Sequence, residues 1–500
     1  EMAVRLSLGA SRLQLLAQLL TESVLLALLG GAVSLLVARW TLAGIGSILP
    51  ADAGQTLRLE LEPSVVVFAA VLSLGTGLLF GMFPALHSTR PDLISTIRAN
   101  AGQPSGARAA ARFRTSLVTA QIALSMALLI SAGLFIRSLV NVSRVDLGLR
   151  TDHVVTFGIS PELNGYTPAR AKVLFERLEQ ELSSTPGVTG VTEALVPILA
   201  GSNWGNDVAV EGFKRDPDTD ANARFNGIGP GFYRTLGIPL LAGREFTAAD
   251  AAGSPKVAIV NEAFVKKFNL GRNAVGKRMA IGNREQLEIE IVGVVQNAKY
   301  SEVKQEIPPQ YATPWRQDST VGAITYYVRT SLAPEQLLRT IPGVVKQLDP
   351  NLPVENLKTL PQQVRENVFL DRMISTLSAS FAVLATLLAA VGLYGVLAYT
   401  VAQRTREIGV RMALGADGSR VRGMVLGQVG KMTLIGGVIG IAAALALGRA
   451  ARSLLFELQG HDPLVVALAA ALLGIVAFGA GYVPALRASR VEPMQALRYE

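Results

Sequence analysis

The chain has 500 residues, 50% of them hydrophobic and 17% charged, with a formal net charge of +9 and a mean hydropathy of +0.37. A soluble domain of this length would be far less apolar, so membrane spans are implied. The chain contains no cysteine, which excludes disulfides, thiol catalysis and Cys-ligated metal; its arginines lie beside apolar runs, not in a basic block with aromatics, which argues against nucleic acid as a partner.

The opening string EMAVRLSLGA returns as REIGVRMALGA much later in the chain. Glu1 pairs with Glu407, Val4 with Val410, Arg5 with Arg411, Leu8 with Leu414, Gly9 with Gly415 and Ala10 with Ala416. The register continues into the following apolar helix, where Gly30-Gly31 meets Gly436-Gly437. An internal duplication follows. Each copy is a short amphipathic helix with Glu and Arg four apart, ended by Gly and followed by a membrane-length apolar run. Glu1 stands inside the motif with no signal peptide before it, so the chain is read as part of a longer one.

Leu13 to Val37 is long enough to cross a bilayer core of about 30 Å at about 1.5 Å per residue. After a polar loop with Asp52, Arg58, Glu60 and Glu62, Val65 to Leu86 returns and ends in GMFPALHSTRPDLISTIR. That ending also recurs, as GYVPALRASRVEPMQALR, so that Gly81 matches Gly481, Pro84 Pro484, Ala85 Ala485 and Arg90 Arg490. Residues 101–114, AGQPSGARAAARFR, read as a flexible cytoplasmic linker. Thr115 to Ile136, Met373 to Tyr399, Met424 to Leu447 and Leu464 to Val483 are four further spans, which makes about six. Gly436, Gly437 and Gly440 read as helix-packing residues, since small residues let helices approach closely in lipid.

Orientation follows from the basic residues. Arg5, Arg12, Arg90, Arg98, Arg112, Arg114, Arg404, Arg411, Arg420 and Arg490 fall on one side if the spans alternate, and that side is cytoplasmic. By parity, residues 138–371 lie outside. There, strands are predicted at Val154 to Ile159, Val188 to Pro197, Asp207 to Val210, Arg224 to Ile228, Val257 to Val260, Leu287 to Val295 and Ala323 to Arg329. Helices are predicted at Ala169 to Leu182, Glu262 to Phe268 and Pro334 to Leu348. The alternation suggests two compact α+β lobes.

No chemistry of catalysis is legible. Gly271 to Arg278, GRNAVGKR, fits G-x-x-x-x-G-K, but Arg278 replaces the Ser or Thr that would hold Mg²⁺, and a strand-like stretch follows in place of a helix. It reads as a turn. His87, His153 and His461 are scattered without ligand spacing. Glu22 and Gln428 occupy equivalent places early in the two post-handle spans, near the cytoplasmic interface, where snorkelling relieves the cost of a polar group.

The handle E-(I/M)-x-V-R-x-x-L-G-A before a span, the G-x-x-P-A exit with its basic tail, and a large outer domain between two spans resemble the FtsX-like permeases of MacB-type ABC transporters. The resemblance implies an α-helical membrane protein with a large extracytoplasmic α+β domain of MacB-periplasmic type, multi-pass in the bacterial plasma (inner) membrane. It divides the chain into 1–100 (second half of a preceding permease unit), 101–114 (linker), 115–137 (span), 138–371 (outer domain) and 372–500 (second permease unit, with its coupling helix at 403–416). It implies that Glu1, Arg5, Leu8, Gly9 and Ala10, with Glu407, Gly409, Arg411, Leu414, Gly415 and Ala416, contact a cytoplasmic ABC ATPase dimer. It implies too that this chain is not itself an enzyme and binds no cofactor, ATP-Mg residing on the partner. Membrane lipids, a periplasmic adaptor and an outer-membrane channel are further expected partners, and nucleic acid is not. Drugs, peptides or lipids are the implied cargo; the alternative is an FtsX-like regulator signalling to a cell-wall hydrolase.

Overall fold

A computed structural model describes residues 11–48, 60–88, 105–214, 218–282, 286–458 and 460–491. The chain divides into two compact units, one of residues 1–139 with 371–500 and the other Val140–Leu370.

The first unit is helical: α1 (Arg12–Ile48), α2 (Pro63–Ser88) and α3 (Ser105–Ser143), with residues from α9 (Phe369–Gln403) onward, α10 (Thr405–Ala413), α11 (Gly418–Ala450) and α12 (Pro463–Ala488). Among the described residues five helices are long and apolar enough to cross a membrane; the sixth expected span, α2, offers a shorter apolar stretch, Pro63–Leu79. Helix α3 begins at Ser105, so residues 105–114 are helical and not the flexible linker that their small-residue content suggested. The physical reason is propensity. Ala and Arg are among the strongest helix formers, and once Ala107 to Arg114 joins an apolar helix no new nucleus is needed.

Helices pair through small residues. A Cβ on Gly31 would lie 2.9 Å from the Ser73 hydroxyl, one on Gly77 2.6 Å from the Ala27 methyl, and one on Gly81 2.4 Å from Ser23. Ser23, Ala27 and Gly31 on α1 thus meet Ser73, Gly77 and Gly81 on α2 at four-residue spacing, the close approach that small residues permit in lipid. Between α3 and α11 the same device uses Gly436 and Gly440, whose added Cβ would come within 2.8 Å of Ile122 and 2.4 Å of the Ala123 carbonyl oxygen. Polar clamps tie α3 to α9 and to the N-cap of α12. Ser125 Oγ donates to the Ala385 carbonyl at 2.8 Å, and Arg137 pairs with Asp462 at 2.7 Å.

The second unit holds β1 (Val154–Ile159), α4 (Pro168–Ser183), β2 (Val188–Ala194), β3 (Gly205–Val210), β4 (Asn222–Ile228), α5 (Phe232–Leu236), β5 (Leu240–Gly243), β6 (Val257–Asn261), α6 (Glu262–Lys267), β7 (Arg278–Ile281), β8 (Ile289–Val295), β9 (Gln310–Pro314), β10 (Ile324–Thr330), α7 (Pro334–Leu348), β11 (Glu355–Thr359) and α8 (Leu360–Asn367). Two lobes emerge from the pairing. In one, an antiparallel sheet of order β11-β1-β10-β2 carries α4 and α7. Alternate residues Val155, Phe157 and Ile159 of β1 and Ile324, Tyr326 and Val328 of β10 bury against Phe175 and Leu178 of α4 and Ile341 of α7, as the two-residue side-chain period requires. In the other lobe, β4 pairs β3 and β9, and the ring closes through β7, β8 and β6, with β5 attached to β8 outside it. The lobes join where Ala194 of β2 pairs Ile228 of β4.

Beneath the first lobe sits an unusual group. The Glu193 carboxyl is fully buried, accepts from Trp315 Nε1 at 3.1 Å, and has one oxygen without a hydrogen-bond partner. Burial, and then the neighbouring Glu179, push its pKa up to about 8.

Candidate coupling site

The duplicated handle is structurally visible in its second copy only; Glu1, Arg5, Leu8, Gly9 and Ala10 lie outside the described residues. In the second copy the nine-residue α10 follows α9 directly, after Arg404. Its charges and apolar residues divide it into two faces. Ile408 is 2% exposed and joins one apolar cluster with Leu397 of α9, Val421 and Val425 of α11 and Ala485 and Ala488 of α12. Gly409 is buried beside it. Opposite, Glu407, Val410, Arg411 and Leu414 are exposed, spaced i, i+3, i+4 and i+7, and so share one helical stripe. Leu414 is 82% exposed.

Glu407 and Arg411 form the expected pair across one turn, 2.6 Å apart and about half exposed. Such a surface pair contributes only about 0.3–0.5 kcal/mol. Arg411 also reaches Met424 Sδ at 3.2 Å, which ties α10 to the start of α11.

The end of α10 explains why Leu-Gly-Ala recurs. Gly415 has φ of +91°, its amide donates to the Met412 carbonyl at 3.1 Å, and the Ala416 amide donates to the Arg411 carbonyl at 2.9 Å. This is a Schellman cap, and its left-handed residue favours glycine. Gly415 therefore shapes the elbow and sets where Leu414 projects. Of the residues expected to contact a partner, the structure exposes Glu407, Arg411 and Leu414, buries Gly409, and gives Gly415 and Ala416 a capping role.

The floor of the elbow is the exit motif. Pro484 stands inside α12, Ala485 and Ala488 are wholly buried, and a Cβ on Gly481 would lie 2.6 Å from Val429 of α11. Any side chain there would push the two helices apart. In the sequence Gly481, Pro484 and Ala485 stand out only as a repeat; their packing role is visible in the fold alone.

Other candidates resolve simply. Gly271 and Gly276 both have positive φ, and the segment runs from turns straight into β7, so no helix N-terminus is offered to a phosphate. Among the described residues no group of three or more His, Asp or Glu is placed to hold a metal ion. In the second unit a cavity of about 620 Å³ is lined by Glu302, Glu355, Lys358 and Glu366 among others, and Lys358 is already paired with Glu366 at 2.7 Å.

Comparison with known proteins places these parts. The FtsX-like permease C-terminal family model matches residues 1–93 and again 379–493, and the MacB-like periplasmic core domain model matches 115–342. The macrolide export ATP-binding/permease protein MacB of Pasteurella multocida is 28% identical over 296 residues, covering 56% of this chain and 43% of that protein. The probable syringafactin export ATP-binding/permease protein SyfD of Pseudomonas syringae is 26% identical over 299 residues, covering 56% of this chain and 42% of that protein. Among solved structures, the periplasmic region of MacB from Actinobacillus actinomycetemcomitans aligns at 17% identity with a TM-score of 0.30, over 46% of this chain and 98% of that one. The chain thus spans less than half the length of these two relatives. With a permease match on either side of a periplasmic-core match, it belongs to the FtsX-like permeases of the MacB type and is a multi-pass inner-membrane protein with a periplasmic domain.

Proposed function

We propose that the chain is the permease of an ABC exporter that works by mechanotransmission. A cytoplasmic ABC ATPase supplies the movement, α10 receives it, and α3 and α9, which run on into the periplasmic unit, carry it across the bilayer. The observation that supports this most is the division of α10 into an anchored face on Ile408 and an exposed stripe of Glu407, Val410, Arg411 and Leu414. Val410 and Leu414 give that stripe an exposed apolar ridge beside the Glu407–Arg411 pair, which suits a protein partner, and the buried face lets force on that partner reach the helices. Export of drugs, peptides or lipids fits the relatives, which are named for macrolide and syringafactin export.

The test places a photo-crosslinking residue at Leu414 and at the buried Ile408 in cells. Cross-linking at Leu414 to a protein with a Walker A sequence, and none at Ile408, is the expected result. Stimulated ATP turnover in a reconstituted complex on adding a secreted small molecule would then identify cargo; stimulation by a cell-wall hydrolase alone would indicate the regulatory alternative. Absence of any ATPase adduct at Leu414 counts against the reading.

A further inference from the structure

The first unit has a cleft of about 1040 Å³ between α3, α9 and α11 that the coupling role does not use. Its mouth is lined by Arg112 and Arg114 of α3 and by Gln403 and Arg404 at the end of α9. Farther in, the walls are Ala120, Ala123, Val396, Ile435 and Ile439, with Gln428 between. The mouth lies at the end of α3 remote from the periplasmic unit, the cytoplasmic end by the distribution of arginines.

Three guanidinium groups line this space, and among the described residues no carboxylate does. Arg114 stacks over the Tyr399 ring, 4.2 Å from its centroid, which orients it without neutralising it. Arg112 and Arg404 enter no ion pair among the described residues. Ile435 and Ile439 are each 54% exposed to the cleft side or to lipid. Cationic at the leaflet surface and apolar within, the cleft has the polarity profile of a lipid, and its volume lies just above the roughly 300–1,000 Å³ usual for drug-sized ligands.

We propose that this cleft binds an anionic diacyl phospholipid of the inner leaflet, its phosphate held by Arg112, Arg114 and Arg404 and an acyl chain laid along Val396, Ile435 and Ile439. Charge decides between a lipid and a protein helix as occupant. Every cytoplasmic flank in this sequence is itself basic, as at Arg90, Arg98, Arg420, Arg422, Arg487 and Arg490, so a helix from a second copy would set arginine against arginine. Basic pockets between spans on the cytoplasmic side suit anionic head groups. Because Arg404 immediately precedes α10, the bound headgroup would sit at the junction between span and coupling helix.

The experiment uses the full chain in nanodiscs of equal phosphatidylglycerol and phosphatidylcholine, released into detergent for native mass spectrometry. Retention of phosphatidylglycerol over phosphatidylcholine by tenfold or more is expected. The triple variant R112Q/R114Q/R404Q should bring that ratio near one. Ile439→Trp, which fills the apolar part and leaves the arginines intact, should lower total lipid occupancy severalfold, and it keeps the test informative if the triple variant is unstable. Equal retention of the two lipids by the wild type overturns the proposal, as does an unchanged ratio in the triple variant. So does displacement of phosphatidylglycerol by millimolar inorganic phosphate, which would mean an anion site only. Because the chain has no cysteine, Ile439→Cys gives a clean further arm: efficient disulfide dimers would assign the cleft to a second copy and likewise refute a lipid occupant.

Discussion

Two truncations six positions apart on the same elbow, Ile408→Ala and Leu414→Ala, should have opposite consequences. Ile408 is 2% exposed, within the cluster that joins α9, α10, α11 and α12, whereas Leu414 is 82% exposed. Ile408→Ala deletes buried methyl groups and leaves a cavity, which costs about 2–5 kcal/mol. Leu414→Ala removes almost nothing from the isolated chain, within about 0.5 kcal/mol. If a partner covers Leu414, however, the full transfer of its side chain is at stake, about 1.5–3 kcal/mol. At about 1.4 kcal/mol per tenfold, that is roughly a tenfold to hundredfold loss of affinity. Thermal unfolding of the purified chain in nanodiscs, and the dissociation constant for the ATPase cross-linked at position 414, measure the two effects separately. The expected outcome is a lowered Tm with Ile408→Ala, and an unchanged Tm with weakened ATPase binding for Leu414→Ala. Should Leu414→Ala leave ATPase affinity intact, or lower the Tm as far as Ile408→Ala does, the assignment of the exposed stripe to a partner is wrong.

The buried Glu193 makes the stability of the periplasmic unit depend on pH. Its carboxyl keeps a proton to about pH 8 in the folded state but loses it near its ordinary 4.5 when unfolded; over that window the folded state binds more protons, so stability falls as pH rises. Glu193→Gln, which still accepts from Trp315, should flatten the decline of Tm between pH 5 and 8, and an unchanged slope would contradict it. In the membrane unit, Gly440→Ala should destabilise the α3–α11 pair by about 1–3 kcal/mol, since the added Cβ meets the Ala123 carbonyl at 2.4 Å. Gly437→Ala, whose Cβ would meet only the flexible end of Met126 at 3.5 Å, should be neutral or slightly stabilising by helix propensity, and equal melting points for the two variants would refute the packing assignment.

Much of the periplasmic unit was legible because local signals agreed. Pro334 opens α7 and Pro168 opens α4, where Thr167 caps the Arg170 amide, so those helices start where the sequence indicates. Strands β1, VVTFGI, and β10, ITYYVRT, announce themselves as runs of β-branched and aromatic residues, buried almost throughout. Strand β11, ENLKT, carries no such run and becomes a strand only through its pairing with β1. Strand β9 is hidden between prolines, and β5 is exposed along its length, so neither offers a hydrophobic period. Residues 105–114 read as linker because they lack an apolar stripe, yet propensity alone keeps α3 going. The cleft was wholly illegible. Arg112 and Arg404 are far apart in sequence, and only the crossing of α3, α9 and α11 brings them to one mouth.

The duplication itself is better understood from contacts than from identities. In the first copy Gly81 of α2 lies against Ser23 of α1, and in the second Gly481 of α12 lies against Val429 of α11. These are equivalent positions in the two repeats, so the glycine of the exit motif keeps its neighbour even though that neighbour has changed from Ser to Val. The repeat therefore preserves a helix-pair geometry, and the handle is built on it: Ala485 and Ala488, just beyond Gly481, share a cluster with Ile408. It follows that the repeated residues serve separate ends. Gly481, Pro484, Ala485 and Gly415 fix where the elbow stands, and Glu407, Arg411 and Leu414 are what it presents. Only the second group should tolerate compensating change in a partner, because a rigid support has no alternative packing to offer when its glycines are filled.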